Sequence, residues 1–207
     1  MTEKERFDRE AATWDQDTAH IDRAHAMAAH LQDLIRRYHL QTGLEVGAGT
    51  GYLSFLLRDE LQAVTLMDTS SGMLQEARRK IGEYRLGDRF HTVEADLLTQ
   101  PQPRRYDLIY ILMTLHHIHD LQGILHAFYQ HLNPGGVLAI GDLDEEDGSF
   151  HAGMDFDGHN GFDQAQLAKQ LRETGFLDVH SEIFFHLSQE TEDGEWDYPL
   201  FFMWGRK

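Results

Sequence analysis

Cysteine is absent from this chain. That excludes disulfides, thiolate metal sites and thiol nucleophiles, and it fits a reducing, cytoplasmic compartment. Positive charge is scarce: 18 Lys and Arg face 35 Asp and Glu, a formal net charge of −17. Such a chain repels a phosphate backbone unless its few cations are gathered into one patch. The longest cluster is "ARRK" (Ala77–Lys80), inside a predicted helix, and it reads as a solvated face. Nucleic acid is therefore not an expected partner. Long apolar runs are missing as well. The longest, "LIYILMTL" (Leu108–Leu115), falls far short of the roughly 20 residues that span a bilayer. The opening "MTEKERFDRE" is charged and does not read as a signal peptide, so no membrane partner is expected.

What is present suits one globular domain. Hydrophobic residues fill 41% of 207 positions and charged residues 26%, enough for a sizeable core. Phe7–Asp15 is a short amphipathic stretch. Ile21, Ala24, Ala28, Leu31, Leu34, Ile35 and Tyr38 recur at helical spacing and predict one long helix with an apolar stripe. Strand and helix patterns then alternate. The strands read "GLEVGA", "AVTLM", "RFHTVEA", "YDLIYILMT" and "GGVLAIGDL", with helices between them. "DVHSEIFFHLSQ" and "YPLFFMWGRK" close the chain as two strands around the acidic loop "ETEDGEWD". This order predicts a doubly wound, Rossmann-like α/β sheet of seven mostly parallel strands with a final antiparallel strand. A helical N-terminal extension or lid is expected over residues 1–39, and a binding domain over residues 40–207.

In an open α/β sheet, ligands bind outside the carboxyl ends of the strands. The first strand here ends in "LEVGAGTGYLS" (Leu44–Ser54), with Gly47, Gly49 and Gly51 at alternate positions. Glycines let a ligand touch backbone, and the following helix offers free N–H groups. By itself this could be only a tight turn. Asp68 follows the second strand and can accept both hydroxyls of a ribose. Asp96 follows the third and can accept from an exocyclic amine. Glycines, acid, acid at three successive strand ends make a strong joint signal. A dinucleotide site wants G-x-G-x-x-G beside a pyrophosphate. The spacing here is G-x-G-x-G after Glu45, an acid that suits a ligand's ammonium group better than a phosphate.

These motifs resemble those of the class I S-adenosylmethionine-dependent methyltransferases of small-molecule type. "EVGAGTGYLS", "LMDTSSGMLQEAR", "VEADLL", "YDLIYILMTLHHI" and "LNPGGVLAIGDLD" carry the resemblance over about residues 40–145. It implies an S-adenosyl-L-methionine cofactor, with S-adenosyl-L-homocysteine as its product. Gly47, Gly49, Thr50 and Gly51 would let backbone approach the methionine part, with Glu45 on its ammonium side. Asp68 would hold the ribose, with Thr69 and Met73 near the adenine. Asp96 would take the adenine amine, with Leu97 beside it, and Leu112 and Met113 would close the methionine end.

The chemistry of transfer is less legible. Displacement at a sulfonium needs positioning, and a base only where the nucleophile arrives protonated. His117 and His151 are the preferred base candidates, against packing or hydrogen-bonding roles for the histidines. "DLDEEDG" (Asp142–Gly148) reads as a solvated acidic loop, as a wall for a cationic substrate through Asp144, or as carboxylates for a divalent ion; no metal is assigned. Phe7 and Trp14 read as a lid that excludes water, or Trp14 packs on the long helix. The acceptor is an unidentified small molecule bearing an O, N or C nucleophile, and the chain is a monomer or homodimer. A nicotinamide-dependent oxidoreductase would share the Gly-rich turn and the acid, but the chain has no Tyr-x-x-x-Lys pair. A base-amine methyltransferase would carry an Asn/Asp-Pro-Pro-aromatic motif where "LMTLHH" stands. A non-catalytic cofactor-binding regulatory protein stays open.

Overall fold

The alternating patterns fold into β1 (Thr42–Val46), β2 (Ala63–Asp68), β3 (Phe90–Glu94), β4 (Tyr106–Leu112), β5 (Leu132–Leu143), β6 (Leu177–Thr191) and β7 (Gly194–Arg206). The helices are α1 (Glu3–Glu10), α2 (Thr18–Tyr38), α3 (Tyr52–Leu56), α4 (Ser71–Glu83), α5 (Leu121–His131) and α6 (Gln164–Thr174). This computed structural model describes residues 2–153, 156–191 and 194–207. The sheet order is β3-β2-β1-β4-β5-β7-β6. The first five strands in that order are parallel, and β7 runs antiparallel to both β5 and β6.

Both faces of the sheet are covered, which is why β4 can be apolar without alternation. Leu108, Ile109, Tyr110 and Ile111 on it are wholly buried. One face packs on α2, α3 and α4 through Met27, Leu31, Phe55 and Ile81. The other packs on α5 and α6 through Ile124, Phe128, Leu167 and Leu171. Short polar side chains start the helices: Asp17 caps α2, Ser70 caps α4 and Asp163 caps α6, each accepting from a backbone N–H of the first turn. No helix among the described residues is long and apolar enough to cross a membrane.

Three local expectations change. The helix after the glycine loop, expected over "YLSFLLRDEL" (Tyr52–Leu61), stops at Leu56, because the Leu57 N–H turns back to the Ser54 carbonyl. The acidic loop between the last strands is mostly ladder: pairing runs to Thr191↔Gly194, on an edge strand where charge is tolerated. Residues 192 and 193 lie outside the described residues. Finally, "ARRK" is only partly a solvated face. Arg78 and Arg79 are exposed, whereas Lys80 is buried.

Candidate active site

The order of the parallel strands reverses between β1 and β4, and a crevice opens there outside the strand ends. It holds a cavity of about 1160 Å³. Glu45–Thr50, Asp68 and Thr69, Met73, Asp96, Leu97, and Leu112–Thr114 line it from the sheet side. Phe7, Trp14, Ile21 and Arg23 line it from the N-terminal elements.

The glycines of the loop differ in what they permit. Gly47 has φ +67°, and a Cβ there would lie 2.3 Å from the Thr114 side chain. Its bareness lets β1 and β4 end side by side. Gly49, at φ +53°, has nothing closer than Met73 Sδ at 3.9 Å, so a Cβ would project into the cavity. Gly51 does not line the cavity, contrary to expectation. It caps α3 and faces Phe55 and Leu66, so its task is close packing of helix on strand.

The acids are held in place by backbone. Asp68 accepts from the Gly49 N–H and the Ser70 N–H, both at 2.7 Å. Burial nonetheless pushes its carboxyl up. Each oxygen keeps a lone pair for a further donor. Asp96 accepts from the Leu98 N–H at 2.9 Å and faces the cavity. Glu45 is buried, accepts from the Ser54 hydroxyl, and is pushed up to about 8, chiefly by desolvation. The Ser54 hydroxyl also meets the Tyr110 hydroxyl at 2.5 Å.

The N-terminal segment is fastened across this crevice. Asp8 on α1 accepts from the Ser70 hydroxyl at 2.6 Å and from the Gly72 N–H at 2.8 Å. Asp15 accepts from the Thr50 hydroxyl at 2.6 Å and pairs with buried Lys80. Lys80 also donates to the Thr50 hydroxyl and carbonyl. Between these fastenings, Phe7 and Trp14 meet edge to face at 5.7 Å. Trp14 lies over His20 of α2 at 4.0 Å and also lines the cavity, so both readings of this residue describe part of its surroundings. The sequence reading missed Asp8, Asp15 and Lys80. Lys80 stands three residues after buried Ala77, on the same helix face, but its place in a run of three adjacent cations hid that signal.

Beyond the methionine end stand three imidazoles. His116, His117 and His151 each bring a ring nitrogen to within 4.8 Å of one another. Asp142, fully buried at the end of β5, accepts from His116 Nδ1 at 2.6 Å and from the Leu143 N–H. Desolvation takes His117 down to about 3 and His151 down to about 4, so both are neutral. His151 Nδ1 is buried with no hydrogen-bond partner. The rest of the acidic loop looks inward to itself. Glu146 accepts from the Gly148 and Phe150 N–H groups, and Asp147 from the Ser149 N–H. Asp144 is outside the cavity lining and accepts from Gln164 at 3.0 Å. Asp144, expected to face the substrate, is thus placed away from the cavity, with one oxygen turned to α6. A further residue, Arg23, had been missed. It is buried and lines the cavity from α2. Its signal was a charge at 23 in register with Met27 and Leu31, on the stripe that faces the sheet.

Residues 44–138 match the family model described as a methyltransferase domain. The malonyl-[acyl-carrier protein] O-methyltransferase of Priestia megaterium is 33% identical over 140 residues, covering 65% of this chain and 48% of the relative. The chain thus spans about half the length of that curated relative. Among solved structures, the N-methyltransferase NodS of Bradyrhizobium japonicum with S-adenosyl-L-homocysteine superposes at a TM-score of 0.72. It is 16% identical and covers 98% of this chain and 97% of its own. A Haemonchus contortus phosphoethanolamine N-methyltransferase with S-adenosyl-L-methionine gives 0.66 at 19% identity, covering 81% of this chain and 48% of its own. At these identities the structural likeness concerns the fold. Residues 44–138 are thus a methyltransferase domain, and the sheet order, glycine loop and strand-end acids agree with the class I S-adenosylmethionine-dependent kind.

Proposed function

We propose that the chain transfers a methyl group from S-adenosyl-L-methionine to a small-molecule acceptor by in-line displacement, releasing S-adenosyl-L-homocysteine. The observation that carries this reading is one continuous cavity from Asp68 and Asp96, past the glycine loop, to His117 and His151. That order suits adenosine, amino acid and acceptor in turn. The residues fit the cofactor: Gly49 leaves the space a side chain would fill, and the strand-end acids keep acceptor capacity.

The cofactor supplies a methyl group on an already activated sulfonium. Asp68 would hold the ribose hydroxyls beside Thr69, with Met73 under the adenine. Asp96 would accept from the adenine amine, and Leu97 would pack against the ring. Glu45 would meet the ammonium group while Gly47, Gly49 and Thr50 present backbone. Leu112 and Met113 close the methionine end. Residues 1–39 act as the lid, with Trp14 over the site, and exclude water from the displacement. Neutral His117, half-buried, and His151, buried, are weak bases at physiological pH. Their proposed role is to wall the acceptor end, and the acceptor arrives with its nucleophile already free. The family assignment leaves the nicotinamide reading without support. We further propose a cytoplasmic monomer or homodimer without nucleic-acid or membrane partners, in keeping with the net charge of −17.

Two measurements test this. S-adenosylhomocysteine should raise the melting temperature and NAD should not, because selective binding to the folded state stabilises it. A screen of small amines, phenols, carboxylates and thiols, read as S-adenosylhomocysteine release, should find turnover. Stabilisation by NAD alone would overturn the reading. Binding of S-adenosylhomocysteine without turnover of any class would favour a regulatory protein.

A further inference from the structure

Arg23 is an uncommon residue for its position. It sits on the sheet-facing stripe of α2, one turn before Met27, whose sulfur packs against Gly141 at the end of β5. Only 9% of its surface is exposed, and what is open lines the cavity. A buried guanidinium normally has a carboxylate in bidentate contact. Among the described residues Arg23 has no hydrogen bond and no ion pair; the charges it feels are those of Asp17 and Asp142. Neither carboxylate is in hydrogen-bond or ion-pair contact with Arg23. Asp17 caps α2 through the Ala19 N–H. Asp142 is occupied by His116 and the Leu143 N–H. The N–H donors of Arg23 thus open on the cavity, within electrostatic range of the Asp142 that holds His116, with no acceptor among the described residues in contact.

The surroundings favour an anion there. His20, His116, His117 and His151 line the same cavity alongside Asp17, with Arg6 close enough that its charge acts on His117 and His151. The buried, unpartnered Nδ1 of His151 adds a polar atom at the same end. Two carboxylates within electrostatic range of Arg23 would oppose a dianion and tolerate a monoanion.

We infer that the methyl acceptor carries a carboxylate group, which docks on the Arg23 guanidinium at the end of the cavity walled by His117 and His151. This rests on the methyltransferase reading and narrows it to acidic small molecules. It also departs from the cationic substrate that was one of the three readings of Asp142–Asp147. Of those acids, Asp142 holds His116, Asp144 accepts from Gln164, and Glu146 and Asp147 accept from backbone N–H groups of their own loop.

The test uses the whole protein saturated with S-adenosylhomocysteine. Monocarboxylates such as benzoate, 4-hydroxybenzoate and 3-phenylpropionate are compared with their amides and with phenyl phosphate, by thermal shift and calorimetry. Expected is stabilisation by at least one acid and not by its amide. Arg23→Met should weaken that acid by roughly tenfold or more, and Arg23→Lys should restore part of it. Arg23→Met should melt at or above the wild-type temperature, because it removes an unpaired buried charge; this shows that the variant is folded. S-adenosylhomocysteine affinity should be unchanged in both variants. The inference fails if acids and amides behave alike, if no acid responds, if phenyl phosphate alone binds, or if Arg23→Met keeps the acid. Failure of S-adenosylhomocysteine to bind the wild type would instead strike the methyltransferase reading. The acid-against-amide comparison on cofactor-free protein would still report on Arg23.

Discussion

Single residues in the crevice separate fold from binding. Gly47→Ala drives a Cβ to 2.3 Å from Thr114 at positive φ, and should cost about 1–3 kcal/mol of stability. Gly49→Ala meets no atom closer than 3.9 Å. It should cost about 1 kcal/mol for its backbone angle and lose most cofactor affinity. Urea unfolding and calorimetry on the two variants should give these opposite balances. Glu45 gives a pH signature. It stays protonated in the fold up to about 8, whereas its ordinary value is 4.5. Between those values the unfolded chain holds fewer protons, so stability falls as pH rises. His117 and His151 act in the other direction between about 4 and their ordinary 6.5, where only the unfolded chain is protonated. From 6.5 to 8 Glu45 is the one of these three still titrating, with a slope approaching 1.4 kcal/mol per pH unit, as an order of magnitude. Urea unfolding at both ends of that window should show the loss. Glu45→Gln, or saturating S-adenosylhomocysteine, should flatten it.

At the scale of elements, much was legible because the signals were local. The period of α2, the unbroken apolar run of β4, and the Gly-x-Gly-x-Gly turn each announce their own geometry. Sites made across elements were not. Lys80 looks like one of three adjacent cations, and only the approach of Asp15, 65 residues earlier, turns it inward. Asp144 and Asp142 look alike in sequence. One is held by α6 and the other by His116, a division set by β5 reaching Leu143 before the chain leaves the sheet. The Asp15–Thr50–Lys80 contact makes its own prediction. Lys80→Met should cost on the order of 1–2 kcal/mol, a buried pair discounted because Asp15 is about a quarter exposed. It should also weaken S-adenosylhomocysteine binding several-fold. Asp15→Asn should reproduce the binding loss with a smaller effect on unfolding. Equal melting and binding losses in both variants would mean that the contact serves the fold alone.

For the whole molecule, charge and cavity are opposed. The chain carries −17, yet the proposed acceptor end offers the guanidinium of Arg23 among neutral imidazoles. An acidic acceptor must approach against the overall field, so added salt should speed its association. Raising ionic strength from about 0.01 to about 0.15 M shortens the screening length from about 30 to about 8 Å. Stopped-flow binding of a carboxylate should quicken over that range, and its uncharged amide should not. The roof over the cavity has a consequence of its own. Asp8 is tied to the loop after Asp68, and Asp15 to the glycine loop. The same two loops that would meet the cofactor therefore also hold the N-terminal segment. With that segment as the proposed lid, spent cofactor should leave only after both contacts break, so departure, rather than bond making, should set the pace at saturation. A thickened solvent should then slow turnover in proportion to its viscosity.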